Sequence, residues 1–224
     1  MPAYNEEKTI QKMVERVEKL DLGIDKEIVI VNDSSKDNTQ KIINDLKRKY
    51  QNITSITHKT NKGKGAAIRT GLKNFTGDIM VIQDADLEYN PEDFQRMLQL
   101  ILKGKTKVVY GSRMLGNITG FKIASHFYGN KFLSLITRIL YGQKITDMET
   151  CYKMITKDLA KSLNLRANRF DIEPEITAKI IKKGHKIIEI PINYNARSFL
   201  EGKKIKWKDG ITAILTLFKY RIFD

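Results

Sequence analysis

Residues 78–88 read Asp-Ile-Met-Val-Ile-Gln-Asp-Ala-Asp-Leu-Glu, and this stretch decides the fold. Asp78 to Gln83 is an apolar run with the look of a buried strand, and it ends in carboxylates at alternate positions, Asp84, Asp86 and Glu88. The same grammar recurs upstream. Glu27-Ile-Val-Ile-Val31 reads as a strand closed by Asn32-Asp-Ser-Ser35, and Ile53 to Thr57 as another. Helical spacing fills the intervals: Glu6 to Leu20, with Ile10, Met13, Val14, Val17 and Leu20 on one face, then Asp37 to Tyr50 and Lys64 to Asn74. Downstream come a helix over Pro91 to Lys103, with proline in its first turn, and a strand over Lys107 to Tyr110. Strands that alternate with helices predict an α/β domain with a largely parallel sheet.

Past residue 111 the pattern loosens. Phe121 to Tyr141 is a long, basic, amphipathic segment, Thr150 to Ile155 and Lys186 to Ile190 read as strands, and Glu173 to Lys183 as a helix. Arg197 to Lys208 is a charged loop before a last helix, Asp209 to Arg221. With no Pro/Ser-rich linker, the chain reads as one domain over 1–224, with halves 1–110 and 111–224.

The chain has 224 residues, 41% hydrophobic and 29% charged, which excludes a disordered chain and a disulfide-stapled miniprotein. Cys151 is its one cysteine, so no intrachain disulfide is expected and a reducing compartment fits. Residues 1–12 are polar, without the look of a secretory leader, and no apolar run reaches the length of a bilayer span. The net charge is +14, and all of the excess lies in residues 99–224; residues 1–98 carry as many acidic as basic side chains. A one-sided charge of that size points to an anionic partner: a membrane surface, a phosphorylated substrate or nucleic acid. The aromatic residues form no stacking platform, so nucleic acid is not expected.

Four loops at strand ends can share one rim: Tyr4-Asn-Glu6, Asp33-Ser-Ser35, Lys62-Gly-Lys-Gly65 and Asp84-Ala-Asp86. Ligands of open parallel sheets collect there. Alternating carboxylates suit a hard cation such as Mg²⁺ or Mn²⁺, whose shell phosphate oxygens complete; a solvated acidic turn would look the same. Lys64 and the backbone N–H groups opening its helix can meet an anion. Asp33-Ser-Ser-Lys-Asp37 fits a helix cap equally well.

In order along the chain stand Pro2-Ala-Tyr-Asn-Glu-Glu7, Asn32-Asp-Ser-Ser-Lys-Asp-Asn-Thr39, Asn61-Lys-Gly-Lys-Gly65, Gln83-Asp-Ala-Asp86 and Gly111-Ser-Arg113. After them come Asp147-Met-Glu-Thr-Cys-Tyr-Lys153, Phe170-Asp-Ile-Glu-Pro-Glu-Ile176 and the segment Arg197 to Gly210. Over nearly its whole length the sequence resembles the family 2 glycosyltransferases, in the branch of dolichol-phosphate mannosyl- and glucosyltransferases. The resemblance implies a GT-A fold, a mainly parallel Rossmann-like sheet flanked by helices. It implies inverting transfer of a hexose from a nucleotide diphosphate sugar (GDP-mannose or UDP-glucose) to a polyprenyl or dolichyl phosphate, with a divalent metal. Residues 1–110 would be the nucleotide-binding half and 111–224 the acceptor and membrane-facing half.

By the same resemblance Pro2, Ala3, Tyr4, Glu6 and Asp33 surround the base, and Lys64 lies near base or phosphates. Asp84 and Asp86 anchor the sugar diphosphate and metal, with Glu88 as a third ligand. Arg113 faces the acceptor phosphate. Arg197 and Lys203 or Lys204 lie on a mobile loop over the donor phosphates, and Asp147 orients the reacting sugar. Glu173 has no assigned role, and Glu175 braces the loop.

A phosphate acceptor is already an anion at neutral pH, so positioning and charge neutralisation outweigh base catalysis. His58, His126 and His185 accordingly read as structural. The family's apolar strand ahead of the Pro-Ala-Tyr-Asn-Glu motif is absent, which implies an upstream start or a truncated form. A bilayer-bound acceptor asks for peripheral attachment at the cytoplasmic face, by the 120–142 segment or through a membrane-protein partner; a core-facing helix is the other reading of that segment. Two further readings are a polysaccharide, lipid or protein hydroxyl as acceptor, with Asp147 or Glu149 as base, and an inactive nucleotide- or membrane-binding module.

Overall fold

The computed structural model describes residues 1–120, 124–197 and 207–223. Three parallel strands form the first sheet: β1 (Pro2–Ala3), β2 (Ile28–Asn32) and β3 (Ile53–Thr57), in that spatial order. All five residues of β2 are buried, as expected of a parallel strand covered on both faces. Helices α1 (Ile10–Lys19), α2 (Thr39–Lys49) and α3 (Lys64–Asn74) connect and cover it. Where the sequence suggested no strand ahead of the Tyr4-Asn-Glu6 turn, Pro2 and Ala3 pair in parallel with Val31 and Asn32. The strand is short, but its Ala3 is 3% exposed and joins the core of Ile10, Met13, Ile30 and Ile43.

The second sheet runs β4 (Ile79–Val81), β7 (Lys153–Thr156), β5 (Val108–Ser112), β8 (Ile188–Pro191). Strand β7 is antiparallel to both of its neighbours, whereas β5 and β8 are parallel. Periodicity reports burial and not strand direction, so the reversed β7 was invisible in the sequence. A two-stranded parallel ribbon, β6 (Ile118–Gly120) with β9 (Tyr194–Ala196), was not expected; each member is three residues long. Helices α4 (Asp93–Leu102), α6 (Lys157–Ser162) and α7 (Ile172–Lys182) pack on this half. Its core is built from Met97, Tyr110, Tyr152, Ile155, Ile172 and Ile180, all nearly inaccessible.

Helices α5 (Ala124–Tyr141) and α8 (Trp207–Ile222) pack against each other, and Tyr141 donates a hydrogen bond to the Leu217 carbonyl at 2.6 Å. In α5 much of the inner face is polar: Asn130, Ser134 and Thr137 are buried beside Leu133. Its outer face presents Tyr128, Phe132, Leu135 and Ile139 to solvent, and α8 does the same with Ile211, Leu215, Phe218 and Ile222. Both rows have the spacing i, i+4, i+7, i+11, a single helical face.

Candidate active site

The first three turns meet at one rim, beyond the carboxyl ends of β1 and β2. Asn5 N–H donates to Ser35 Oγ at 3.0 Å, and Lys36 N–H to Asn5 Oδ1 at 2.8 Å. Glu6 N–H donates to Thr39 Oγ1 at 2.8 Å. Asn5, Ser34 and Leu87 hold positive φ of 54°, 64° and 64°. Non-glycine residues adopt that region at a cost and cluster at functional turns, here one in each of three rim loops.

Asp33 works inward. Its carboxylate, 3% exposed, accepts from the backbone N–H of Lys62 at 2.9 Å and of Gly63 at 2.7 Å, and sits 2.7 Å from His58 Nδ1. His58 Nε2 lies 2.9 Å from Thr70 Oγ1. Asp33 and His58 thus clamp the loop that carries Lys64. Gly65 is required by a different contact: a Cβ there would lie 2.7 Å and 2.8 Å from the carbonyl oxygens of Ala167 and Arg169.

The acidic turn after β4 is charge-paired. Lys64 Nζ is 2.9 Å from Asp84 Oδ2, and Arg197 reaches Asp86 at 2.6 Å. The same guanidinium lies 3.5 Å from Glu6 and 3.5 Å from Glu88, and Arg197 N–H donates to Glu88 Oε1 at 2.9 Å. Tyr194 hydroxyl donates to Glu88 Oε2 at 2.7 Å. The Glu6 carboxylate, which accepts from the Thr9 hydroxyl at 2.9 Å, thus lies within ion-pair reach of the same arginine as the acidic turn. Burial, with Asp84 and Glu88 adding to it, pushes the Asp86 carboxyl up to about 7 against the pull of Arg197. Burial also opposes the charged form of Asp84, yet Lys64 holds its carboxyl below the ordinary range. Arg197 is raised despite its burial, by Asp86, Glu6 and Glu88.

Asp84 and Asp86 are hard oxygen donors in a pocket with a surplus of negative charge, and so they fit a divalent cation. Among the described residues, Asp84, Asp86 and Glu88 are not gathered into a ready three-ligand set, because Glu88 turns to Tyr194 and Arg197. Lys203 and Lys204 lie outside the described residues. Tyr4 is half-buried on the rim, next to the core-facing Ala3.

Arg113 and Asp147 form a bidentate pair. Arg113 Nε and a terminal nitrogen each stand 2.8 Å from an Asp147 oxygen, and Arg113 backbone N–H donates to the same carboxylate at 2.8 Å. Asn130 of α5 adds a fourth hydrogen bond at 2.7 Å. The guanidinium lies over the Tyr194 ring, 5.1 Å from its centroid. Asp147 is fully buried, and although burial works against its charge, Arg113 keeps it below the usual carboxylate range. In this geometry Asp147 holds the Arg113 guanidinium in place. Glu175 accepts from the N–H groups of Arg166 and Ala167 and from the Tyr220 hydroxyl.

Tyr194 and Asn130 had no signal of their own in the sequence, being single polar residues in otherwise structural segments. Lys153 stood in the Asp147 to Lys153 motif without an assigned role. Glu149, named in the sequence only as an alternative base, has its Oε1 buried without a hydrogen-bond partner, and burial followed by Glu173 pushes its carboxyl up to about 7.

The sequence profile of glycosyl transferase family 2 matches residues 1–163. The dolichyl-phosphate β-glucosyltransferase ALG5A of Trichomonas vaginalis is 31% identical over 236 residues, covering 100% of this chain and 72% of that one. The UDP-N-acetylglucosamine–dolichyl-phosphate N-acetylglucosaminyltransferase of Methanococcus voltae is 35% identical over 92% of this chain and 88% of its own. Among solved structures, the glucosyl-3-phosphoglycerate synthase of Mycobacterium tuberculosis, bound to Mn²⁺, UDP-glucose and phosphoglyceric acid, superposes with a TM-score of 0.74 at 18% identity. That match covers 98% of this chain and 77% of the synthase and establishes a shared fold.

Proposed function

The chain belongs to glycosyl transferase family 2, and from that premise we propose that it moves a hexose from a nucleotide diphosphate sugar to a polyprenyl phosphate, with inversion. The observation that carries this reading is the pairing of two cations with two carboxylates on one rim, Lys64 with Asp84 and Arg197 with Asp86. A leaving nucleoside diphosphate gains negative charge as the sugar departs. Stabilising that charge is the main chemical demand, and Lys64 and Arg197 are positioned for it. Asp84 and Asp86 would hold Mg²⁺ or Mn²⁺, which supplies Lewis-acid stabilisation of the same phosphates when bound.

Arg113 would receive the acceptor phosphate. Its fork is held by Asp147 and Asn130, so little rotamer freedom is left to lose on binding. The T. vaginalis and M. voltae relatives are both named for a dolichyl-phosphate acceptor, but for different sugars. That supports the acceptor class and leaves the donor open, with UDP-N-acetylglucosamine joining GDP-mannose and UDP-glucose as a candidate.

The acceptor is bilayer-bound, and among the described residues no helix is long and apolar enough to cross a membrane. Peripheral docking through α5 and α8 supplies the access. The outward apolar rows of these helices carry exposed Lys131, Arg138, Lys219 and Arg221, the composition of an interfacial surface facing anionic lipid. The inward polar face of α5 supports this over an ordinary core-facing helix. Anionic lipid is characteristic of the cytoplasmic leaflet, which supports that side of the membrane.

The test is phosphate dependence. Parallel reactions with a polyprenyl phosphate and with the matching free polyprenol should yield labelled product from the phosphate alone. Equal transfer to the alcohol would sink the phosphate-acceptor reading and favour a hydroxyl acceptor.

A further inference from the structure

Lys64 stands between two carboxylates contributed by distant parts of the chain. Its Nζ is 2.9 Å from Asp84 Oδ2 and 3.3 Å from Glu173 Oε1. Glu173 opens α7, and its side chain is 3% exposed. Its other oxygen, Oε2, is taken by Lys153, a fully buried lysine that also donates to the carbonyls of Met148 and Thr150. Asp84, Lys64, Glu173 and Lys153 thus form an alternating row of two negative and two positive charges, running from the rim into the core.

The two oxygens of Glu173 are not equivalent. Oε2 is hydrogen-bonded to Lys153, whereas Oε1 is buried without a hydrogen bond and has only the longer ion pair with Lys64. An unsatisfied buried acceptor is costly, and native structures seldom keep one without a use.

Resting on the nucleotide-sugar reading of the rim, we propose that Lys64 has two seats. In one it neutralises Asp84, as seen here. In the other it passes onto Glu173 Oε1 and yields Asp84 to a divalent cation. Like charges compete for Asp84, and an ammonium expelled with no second partner would be left buried and unpaired. Glu173 provides that second partner at almost the same distance, and Lys153 holds it in place through its other oxygen. Arg197 has the same arrangement on the other carboxylate, since Glu6 and Glu88 flank it while it holds Asp86. Glu173 and Lys153 are then positioning residues for metal capture.

The experiment is a Mn²⁺ titration of the full chain, read by calorimetry or by the electron paramagnetic resonance of free Mn²⁺, with UDP and with GDP present. Glu173→Gln should weaken Mn²⁺ binding about tenfold, because Lys64 then has no alternative to Asp84. Lys64→Met should bind Mn²⁺ at least as well as wild type. In the Lys64→Met background, adding Glu173→Gln should change the affinity by less than about threefold, since no competitor remains. Unchanged affinity in Glu173→Gln overturns the proposal. So does an equal tenfold loss in both backgrounds, which would mark a plain field effect of Glu173. If Glu173→Gln does not fold, Glu173→Asp keeps a charge opposite Lys153 but withdraws the acceptor from Lys64, and a several-fold weaker Mn²⁺ affinity is expected; wild-type affinity there overturns it. A wild-type chain that binds no Mn²⁺ with either nucleotide refutes the metal reading of the rim itself.

Discussion

Replacing one residue in each outward apolar row, Ile139→Glu with Leu215→Glu, should detach the protein from anionic vesicles and leave the fold intact. Ile139 is 72% exposed and Leu215 63%. Full burial of such a side chain is worth about 1.5–3 kcal/mol, so at these exposures each contributes about 1–2 kcal/mol on entering a lipid interface. Together they account for about 2–4 kcal/mol, a loss of roughly 30- to 1,000-fold in vesicle affinity. Repulsion between the new carboxylates and anionic headgroups adds to the loss. The folded state should barely change, since exposed substitutions cost within about 0.5 kcal/mol. The assay is sedimentation with vesicles containing phosphatidylserine, beside thermal melting and transfer to a short-chain, water-soluble polyprenyl phosphate. Binding should fall while melting and soluble transfer hold. Ile24→Glu, an equally simple change in the other half at a residue 46% exposed, should bind like wild type. If the double variant sediments like wild type, or Ile24→Glu loses as much, the α5–α8 surface is not what meets the lipid.

Three more perturbations probe the site. Arg113→Lys gives up the forked contact with Asp147 and should lower kcat/KM for polyprenyl phosphate about 10- to 100-fold, as expected for loss of a charge-assisted hydrogen bond worth about 1.5–3 kcal/mol; steady-state kinetics with wild-type values would refute the role. Lys153→Met strips the buried Glu173 of its hydrogen-bonded cation and leaves only the longer pair with Lys64, a loss of about 3–5 kcal/mol that should lower Tm by roughly 6–20 °C in calorimetry. Glu149→Gln probes pH dependence: a carboxyl raised to about 7 in the fold by burial and Glu173, with Lys153 and Arg113 opposing, binds more protons folded than unfolded. Its contribution is therefore complete below about pH 4.5 and is lost as pH rises through about 7. The Gln variant should gain roughly 3 kcal/mol over wild type at pH 8 and almost none at pH 4. Parallel denaturation curves at the two pH values would show the group titrates normally.

Much of the first half was legible because its signals are local. Strand β3 and helix α3 fall on the expected residues, Ile53–Thr57 and Lys64–Asn74, since a buried run and a helix opened by glycines announce themselves in sequence. The four rim loops also meet as strand-end logic implies. What escaped depends on long-range geometry. Strands β6 and β9 are three residues each and find one another across more than seventy residues. The reversal of β7 leaves no trace in its side chains. The hydrogen bonds of Asp33 to His58 and to the Lys62 and Gly63 N–H groups could not be read from sequence, because an Asp after a strand announces no partner. The pairing of Asp147 with Arg113 likewise spans thirty-four positions and left no local signal. The long segment ending at Tyr141 had the composition of an amphipathic helix, but only the structure reveals that Asn130, Ser134 and Thr137 face inward while Phe132 and Ile139 face out.

The central claim is transfer of a sugar from a nucleotide diphosphate to a lipid phosphate at the Asp84–Asp86 rim, and a two-phase assay meets it most directly. The protein is incubated with Mn²⁺ or Mg²⁺, a short polyprenyl phosphate and, separately, radiolabelled GDP-mannose, UDP-glucose and UDP-N-acetylglucosamine, and the organic phase is counted. Label should cross from one donor, vanish on chelation, and fall at least about 100-fold in Asp86→Ala. Label that crosses equally well from the Asp86→Ala variant, or no label from any donor with a protein that melts cooperatively and binds vesicles, would contradict it.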